Sequence, residues 1–261
     1  MKRFKTIIAI VTLIMMIPSM QSCLDDYDDN LYDISNSIPV NAALATVVTP
    51  SKVPGEAIIE SDNEGTAYVT NPEILTQNDA NNKGQRIFYT YRGAESPNGN
   101  SNSKAPYIQI TTLYKILTKD IDILKEEQED IFGDDVINYI SYNIGKTHLT
   151  LQFQILGYDI NIKHRISLVA KADAVPDSDG YLSVELRHNA EGDRQENLSS
   201  SSFVSFPLSS APGYNEGTLK GFKIKYKSIY SGEKTVTIGY NNSKSADFQF
   251  DWEAMSNTKI K

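Results

Sequence analysis

The chain has 261 residues, 25 Lys plus Arg against 33 Asp plus Glu, and a formal net charge of -8. One cysteine and three histidines exclude an internal disulfide framework and a Cys-rich zinc module, and leave little room for a His-dominated metal site. The acidic balance argues against a protein that lives on phosphate backbones, because such binding needs clustered Lys and Arg.

The first feature in chain order is an address. Met1 to Lys5 is basic, Ile7 to Ile17 is apolar apart from one threonine, and Cys23 stands where the run ends. A bilayer-spanning helix takes about 20 apolar residues, so residues 1–22 read as a bacterial signal peptide. The placement of Cys23 resembles a lipobox, with Met20 in the place usually held by leucine. Cys23 is then the lipid attachment site and the first residue of the mature protein. Each buried CH₂ of an acyl chain such as palmitate contributes about 0.8 kcal/mol, and two or more chains anchor stably. The following Leu24-Asp25-Asp26-Tyr27-Asp28-Asp29 resembles the acidic export signal of Bacteroidota lipoproteins. The expected location is the outer membrane, lipid-anchored and facing outward.

Loss of 1–22 leaves 22 bases against 33 acids, a net charge of -11. The acidity is concentrated in a tether at 23–38, net -5, and in a segment at 119–135, net -6, which is read as a solvated linker. Two near-neutral bodies, 39–118 and 136–261, remain.

The first body reads as five short strands. These are Asn41–Val48, Ala57–Glu60, Ala67–Val69, Arg86–Tyr91 and Tyr107–Thr118, the last bent near Thr111-Thr112. Five strands suit an OB-like barrel. The polar stretch Asn71–Gly84 reads as a loop or a short helix. In the second body Leu149, Leu151, Phe153 and Ile155 alternate with polar neighbours, the period of a half-buried strand. Similar runs begin at Val136, Lys163, Tyr181, Phe203, Phe222 and Val236, and Phe248, Phe250 and Trp252 close the chain. The fold class is all-β: a five-stranded OB-like barrel followed by an antiparallel β-sandwich.

Three patches resemble the NigD-like lipoproteins of Bacteroidota. They are the acidic anchor Cys23-Leu24-Asp25-Asp26, the strand Lys163-His164-Arg165-Ile166-Ser167-Leu168-Val169, and Glu185-Leu186-Arg187-His188-Asn189-Ala190-Glu191-Gly192-Asp193 with Phe203-Val204-Ser205-Phe206 after it. The resemblance implies an N-terminal OB-type domain, a C-terminal β-sandwich and, at the level of a family proposal, a bacteriocin immunity role. It brings no catalytic residues.

The patch His164, Arg187, His188, Asn189 and Asp193 is the candidate structural or binding site. His188 ends a strand before a turn, where its ring can donate to a carboxylate such as Asp193 and fix the loop. Paired with Asp193 or Glu185 it is instead a candidate for acid–base chemistry. His164 shares a face with Ile166 and Leu168, which favours a hydrogen-bonded core histidine over a ligand. Arg187 suits a bidentate contact with a linker or loop carboxylate. Residues 173–180 read as a hairpin turn around Pro176 and Asp179-Gly180 rather than a calcium loop. Lys223, Lys225 and Lys227 form a stripe that reads as a solvated face or a patch for an anionic partner.

No nucleophile elbow, zinc-protease motif or phosphate loop is present. The sequence therefore predicts a non-enzymatic, lipid-anchored surface module for binding or assembly. It calls for no metal, no cofactor and no nucleic acid. Its partners are the membrane, through the anchor, and an unidentified protein, either a bacteriocin or an envelope complex. A hydrolase built on His188 is the least favoured alternative.

Overall fold

Strands arise wherever apolar residues alternate with polar ones. The structure, a computed structural model, describes residues 41–99, 103–125, 128–196, 198–215, 217–240 and 260–261. The leader 1–22, Cys23, the tether 23–38 and the closing Phe248, Phe250 and Trp252 lie outside the described residues.

Strands β1 (Asn41–Thr49), β2 (Ala57–Ser61), β3 (Gly65–Val69), β4 (Arg86–Ala94) and β5 (Tyr107–Lys115) form a closed barrel in the order β1-β2-β3-β5-β4. Only the closing pair, β3 with β5, is parallel. Ala45, Val47, Ile59, Val69, Ile87, Tyr89 and Ile110 fill the interior. The stretch between β3 and β4 contains a five-residue helix, Glu73–Gln77, whose Leu75 is buried in the same core. The bend expected in β5 is a bulge: the register with β4 passes from Thr90↔Thr112 to Tyr91↔Ile110 and skips Thr111.

Nine shorter or longer strands follow in two sheets. They are β6 (Leu117–Thr118), β7 (Asp122–Leu124), β8 (Asn138–Ile144), β9 (His148–Gly157), β10 (Arg165–Lys171), β11 (Tyr181–Asn189), β12 (Leu198–Pro207), β13 (Gly221–Ser228) and β14 (Gly232–Gly239). One sheet runs β14-β13-β11-β10-β7 and the other β6-β12-β9-β8. Between them Leu151, Phe153, Ile166, Leu168, Leu182, Leu186, Phe206, Phe222 and Ile238 make the core.

Two expectations change. The sandwich is not purely antiparallel: β7 with β10, β11 with β13 and β6 with β12 are parallel. The chain leaves β11 for the opposite sheet, forms β12 there and returns, so β13 starts at the same end as β11. The acidic segment 119–135 is also more than a solvated spacer. It supplies β7, a short helix at Glu129–Phe132, and the buried Ile121 and Phe132. Apolar residues spaced through a charged run are enough to fasten it to the sandwich.

Barrel and sandwich meet at a joint with a small apolar core. Leu44, Phe88, Ile116 and Phe203 form a small apolar cluster there, with Tyr114 edge-on to Phe203. This explains why β4 is buried on both faces at Arg86–Tyr89. One face lines the barrel and the other meets the sandwich. Beside the cluster, Arg86 grips Asp62 through two nitrogens, at 2.8 and 2.5 Å, and also reaches Thr46 and, across the joint, Thr150. The Arg86 side chain is fully buried.

Candidate functional site

The site is built on the far end of the β10–β11 hairpin, where Ile166 faces His188 and Arg165 faces Asn189. Alternation along β11 sends Leu186 and His188 inward and Arg187 and Asn189 outward. His188 is fully buried and His164 is 4% exposed.

The two rings lie edge to edge and nearly coplanar, with centroids 5.0 Å apart and planes 20° apart, and join in a relay. His188 Nδ1 lies 2.8 Å from the Val136 carbonyl, His188 Nε2 lies 2.8 Å from His164 Nδ1, and His164 Nε2 lies 3.1 Å from Asp193 Oδ2. Asp193 in turn accepts the N–H groups of Tyr158 and Asp159. The contact expected between His188 and Asp193 is thus made by His164, which lies between them. Gly157 packs against this centre so closely that a Cβ would stand 3.0 Å from Asp193 Oδ2.

Burial pushes the His188 ring down to about 4, against the help of the Val136 carbonyl. It is a neutral imidazole at neutral pH. Burial opposes ionisation of Asp193, yet the N–H groups of Tyr158 and Asp159, the His164 ring and the Arg194 N–H hold its carboxyl below the usual range. His188 is therefore not an accessible acid–base group: it is fully buried, and its two ring nitrogens are taken up by the Val136 carbonyl and His164.

Arg187, His188 and Asn189 share one task. Each donates to backbone carbonyls of the short helix or of the segment that follows it. Arg187 bonds Gly133 O, His188 bonds Val136 O, and Asn189 bonds both Asp130 O and Ile131 O. Asn189 thereby satisfies carbonyls that the helix end leaves open. The same segment reciprocates through Asp135, which accepts Ala190 N and Gln195 Nε2. It lies between the ends of β11 and β13, giving Asp135 N to His188 O and Ile137 N to Lys227 O. Gly133 has φ +69° and is pressed against Asn189, where a Cβ would come within 2.6 Å. Arg187 pairs mainly with Glu185, two residues away on its own strand, and more loosely with Asp134.

The lysine stripe is neutralised. Lys223 pairs with Asp177, Lys225 with Glu233 and Lys227 with Asp134, at 2.5, 2.7 and 3.0 Å. It offers no surplus positive charge to an anionic partner. Asp177 also accepts Asp179 N and Tyr181 N, so its carboxylate holds the β10–β11 turn. The Lys223 hydrogen bond, aided by those N–H groups, brings Asp177 down to about 2. Along the same sheet face lies a groove of about 490 Å³ floored by Leu124, Val169, Ala174 and Val175. Among the described residues no group of three or more His, Cys, Asp or Glu is placed to hold a metal ion.

No motif links Arg86, on β4, with Asp62, 24 positions earlier in the β2–β3 turn, so the pair is invisible in the sequence. No sequence pattern marks His148 either. It is buried at the start of β9, and burial, then the Arg86 charge, push it down to about 4.

The search among curated proteins gave no match. Among solved structures, a protein of unknown function from Bacteroides vulgatus superposes with a TM-score of 0.65 at 21% identity, covering 85% of this chain and all of that one. A protein described as toxin related from Parabacteroides distasonis gives 0.58 at 24%, covering 79% and 96%. A NigD-like immunity protein from Bacteroides caccae gives 0.52 at 17%, covering 77% and 93%. At these identities the likeness establishes the fold. The family model of the NigD-like C-terminal beta sandwich domain matches residues 120–240, a span that opens on the acidic segment, carries the whole relay and closes after β14.

Proposed function

We propose that this is a non-enzymatic, lipid-anchored protein of the cell envelope that acts as a rigid binding or assembly module for another protein. The observation that carries this reading is the full burial of His188 within a relay that ends on a backbone carbonyl. The groups best suited to acid–base chemistry are spent on holding loops, which is the work of a scaffold. The division into leader 1–22, tether 23–38, barrel 39–118, acidic segment 119–135 and sandwich 136–261 belongs to the same proposal. So does outward display at the outer membrane through Cys23.

Crosslinking in intact cells, followed by detergent extraction and purification of the full chain, tests the module. A stoichiometric protein partner is expected, and recovery of the chain alone overturns the reading. Wild-type protein is expected to take up labelled palmitate and Cys23→Ser to take up none. Protease added to intact cells is expected to remove the folded part, and its protection would place it on the inner side.

Bacteriocin immunity is the second reading, favoured by the immunity and toxin-related descriptions of two structural neighbours. Under it, deletion raises sensitivity to one toxin and re-expression restores resistance. Unchanged sensitivity across the toxins of neighbouring strains ends that reading while leaving the module untouched.

A further inference from the structure

Hydrogen-bond parity in the relay leads to a charge state. The Val136 carbonyl can only accept, so His188 Nδ1 carries a proton and donates. His188 Nε2 faces only the His164 ring, whereas His164 Nε2 faces the Asp193 carboxylate, so the arrangement that sets any positive charge beside its counter-ion leaves His188 Nε2 a bare acceptor, with His164 Nδ1 donating to it. Both ring nitrogens of a neutral His164 would then be accounted for: Nδ1 protonated, Nε2 bare. Yet Nε2 lies 3.1 Å from a carboxylate oxygen, and two lone pairs do not attract. One more proton is required between them. Asp193 already accepts the Tyr158 and Asp159 N–H groups on its two oxygens, an arrangement that favours the ionised carboxylate. The proton therefore belongs on the ring.

We infer that His164 is a buried imidazolium, and that Asp193, His164 and His188 form a proton-holding latch. The latch ties together four pieces of chain: the segment at Val136, the end of β11, the loop at Tyr158 and Asp159, and the chain end. The last attaches because Lys261 N donates to His164 O and Ile166 N donates to Lys261 O. A proton added at His188 Nε2 would set two donors against each other. A proton lost from His164 would set two acceptors against each other. Either change opens the latch.

Other charges face this centre. Arg165 on β10 and Lys261 both reach Glu191 in the turn. Arg187 on β11 is held by Glu185 and Asp134. Asp135 bonds Ala190 and Gln195, Asp159 bonds Asn161, and Arg194 lies over the Tyr158 ring. Each is already engaged, Arg165 and Lys261 sharing Glu191, which leaves the carboxylate of Asp193 as the counter-charge of His164.

Histidine ring NMR on the full chain at pH 7 tests this. His164 is expected to show two protonated nitrogens and His188 one, on Nδ1. In Asp193→Asn, whose amide N–H can donate to Nε2, His164 is expected to fall to a single proton while the fold persists. A wild-type His164 ring with one bare nitrogen overturns the charge assignment. Hydrogen exchange tests the latch. In Asp193→Ala the amides of Tyr158, Asp159 and Lys261 are expected to exchange at least tenfold faster, while β9 and β12 amides keep their rates. Uniform acceleration, or none at these three, overturns it.

Discussion

His148 and His188 are buried and neutral, each held at about 4 against an ordinary 6.5. In the unfolded chain both take up protons as the pH falls through 6.5, while the folded chain resists until about 4. The unfolded state thus binds more protons in that window, and stability falls with falling pH. At about 1.4 kcal/mol per pH unit, each histidine removes roughly 3 kcal/mol by pH 4. Urea titrations should show the midpoint dropping steeply between pH 6.5 and 4, and His188→Gln should flatten part of that slope. Asn189→Ala should cost about 1 kcal/mol for its lost bonds to the helix end, read in the same titration. The motif around His188 was visible in the sequence, because a polar cluster at the end of an alternating strand is conspicuous. Its wiring was not visible. His164 reaches Asp193 only because β10 and β11 pair with Ile166 opposite His188, and register is set by the whole sandwich.

At the scale of elements, the acidic segment shows how far composition misleads. Its eight acids and two bases read as spacer, yet Ile121 and Phe132 are buried. The strands were legible because alternation reports a half-buried face directly. The segment was not, because irregular chain held by side-chain donors to its carbonyls leaves no periodic trace. Gly133→Ala forces a Cβ onto Asn189 at a positive φ and should destabilise by more than about 1 kcal/mol, with the loss sensed at Asn189 by chemical shift. The lysine stripe calls for the opposite result. Replacing Lys223, Lys225 and Lys227 together with Gln should leave the urea midpoint almost unchanged, because exposed ion pairs are screened by solvent. Partner binding should keep its affinity, since the cations are already satisfied.

For the whole molecule, the joint decides whether barrel and sandwich behave as one. Arg86 and Asp62 are removed from water together, so deleting one strands the other. Arg86→Met should cost about 3–5 kcal/mol, and Arg86→Met with Asp62→Leu should recover much of that, since an apolar pair of similar volume often matches a buried ion pair. The double-mutant cycle in denaturant measures it. The five-strand barrel and the sandwich order were foreseeable in outline from strand count and spacing. The joint was not, because Arg86 looks like any polar residue opening a strand.

The parallel pairings set a timetable for folding. Leu117 in β6 waits for Val204 in β12, and Leu182 in β11 waits for Phe222 in β13. Closing such distant contacts is slow, on the order of milliseconds to seconds for β-rich chains. A ribosome or a translocation pore that delivers this polypeptide from its front end therefore releases the whole barrel first, must emit β12 before one sandwich sheet can be completed, and must emit β14 before the other can.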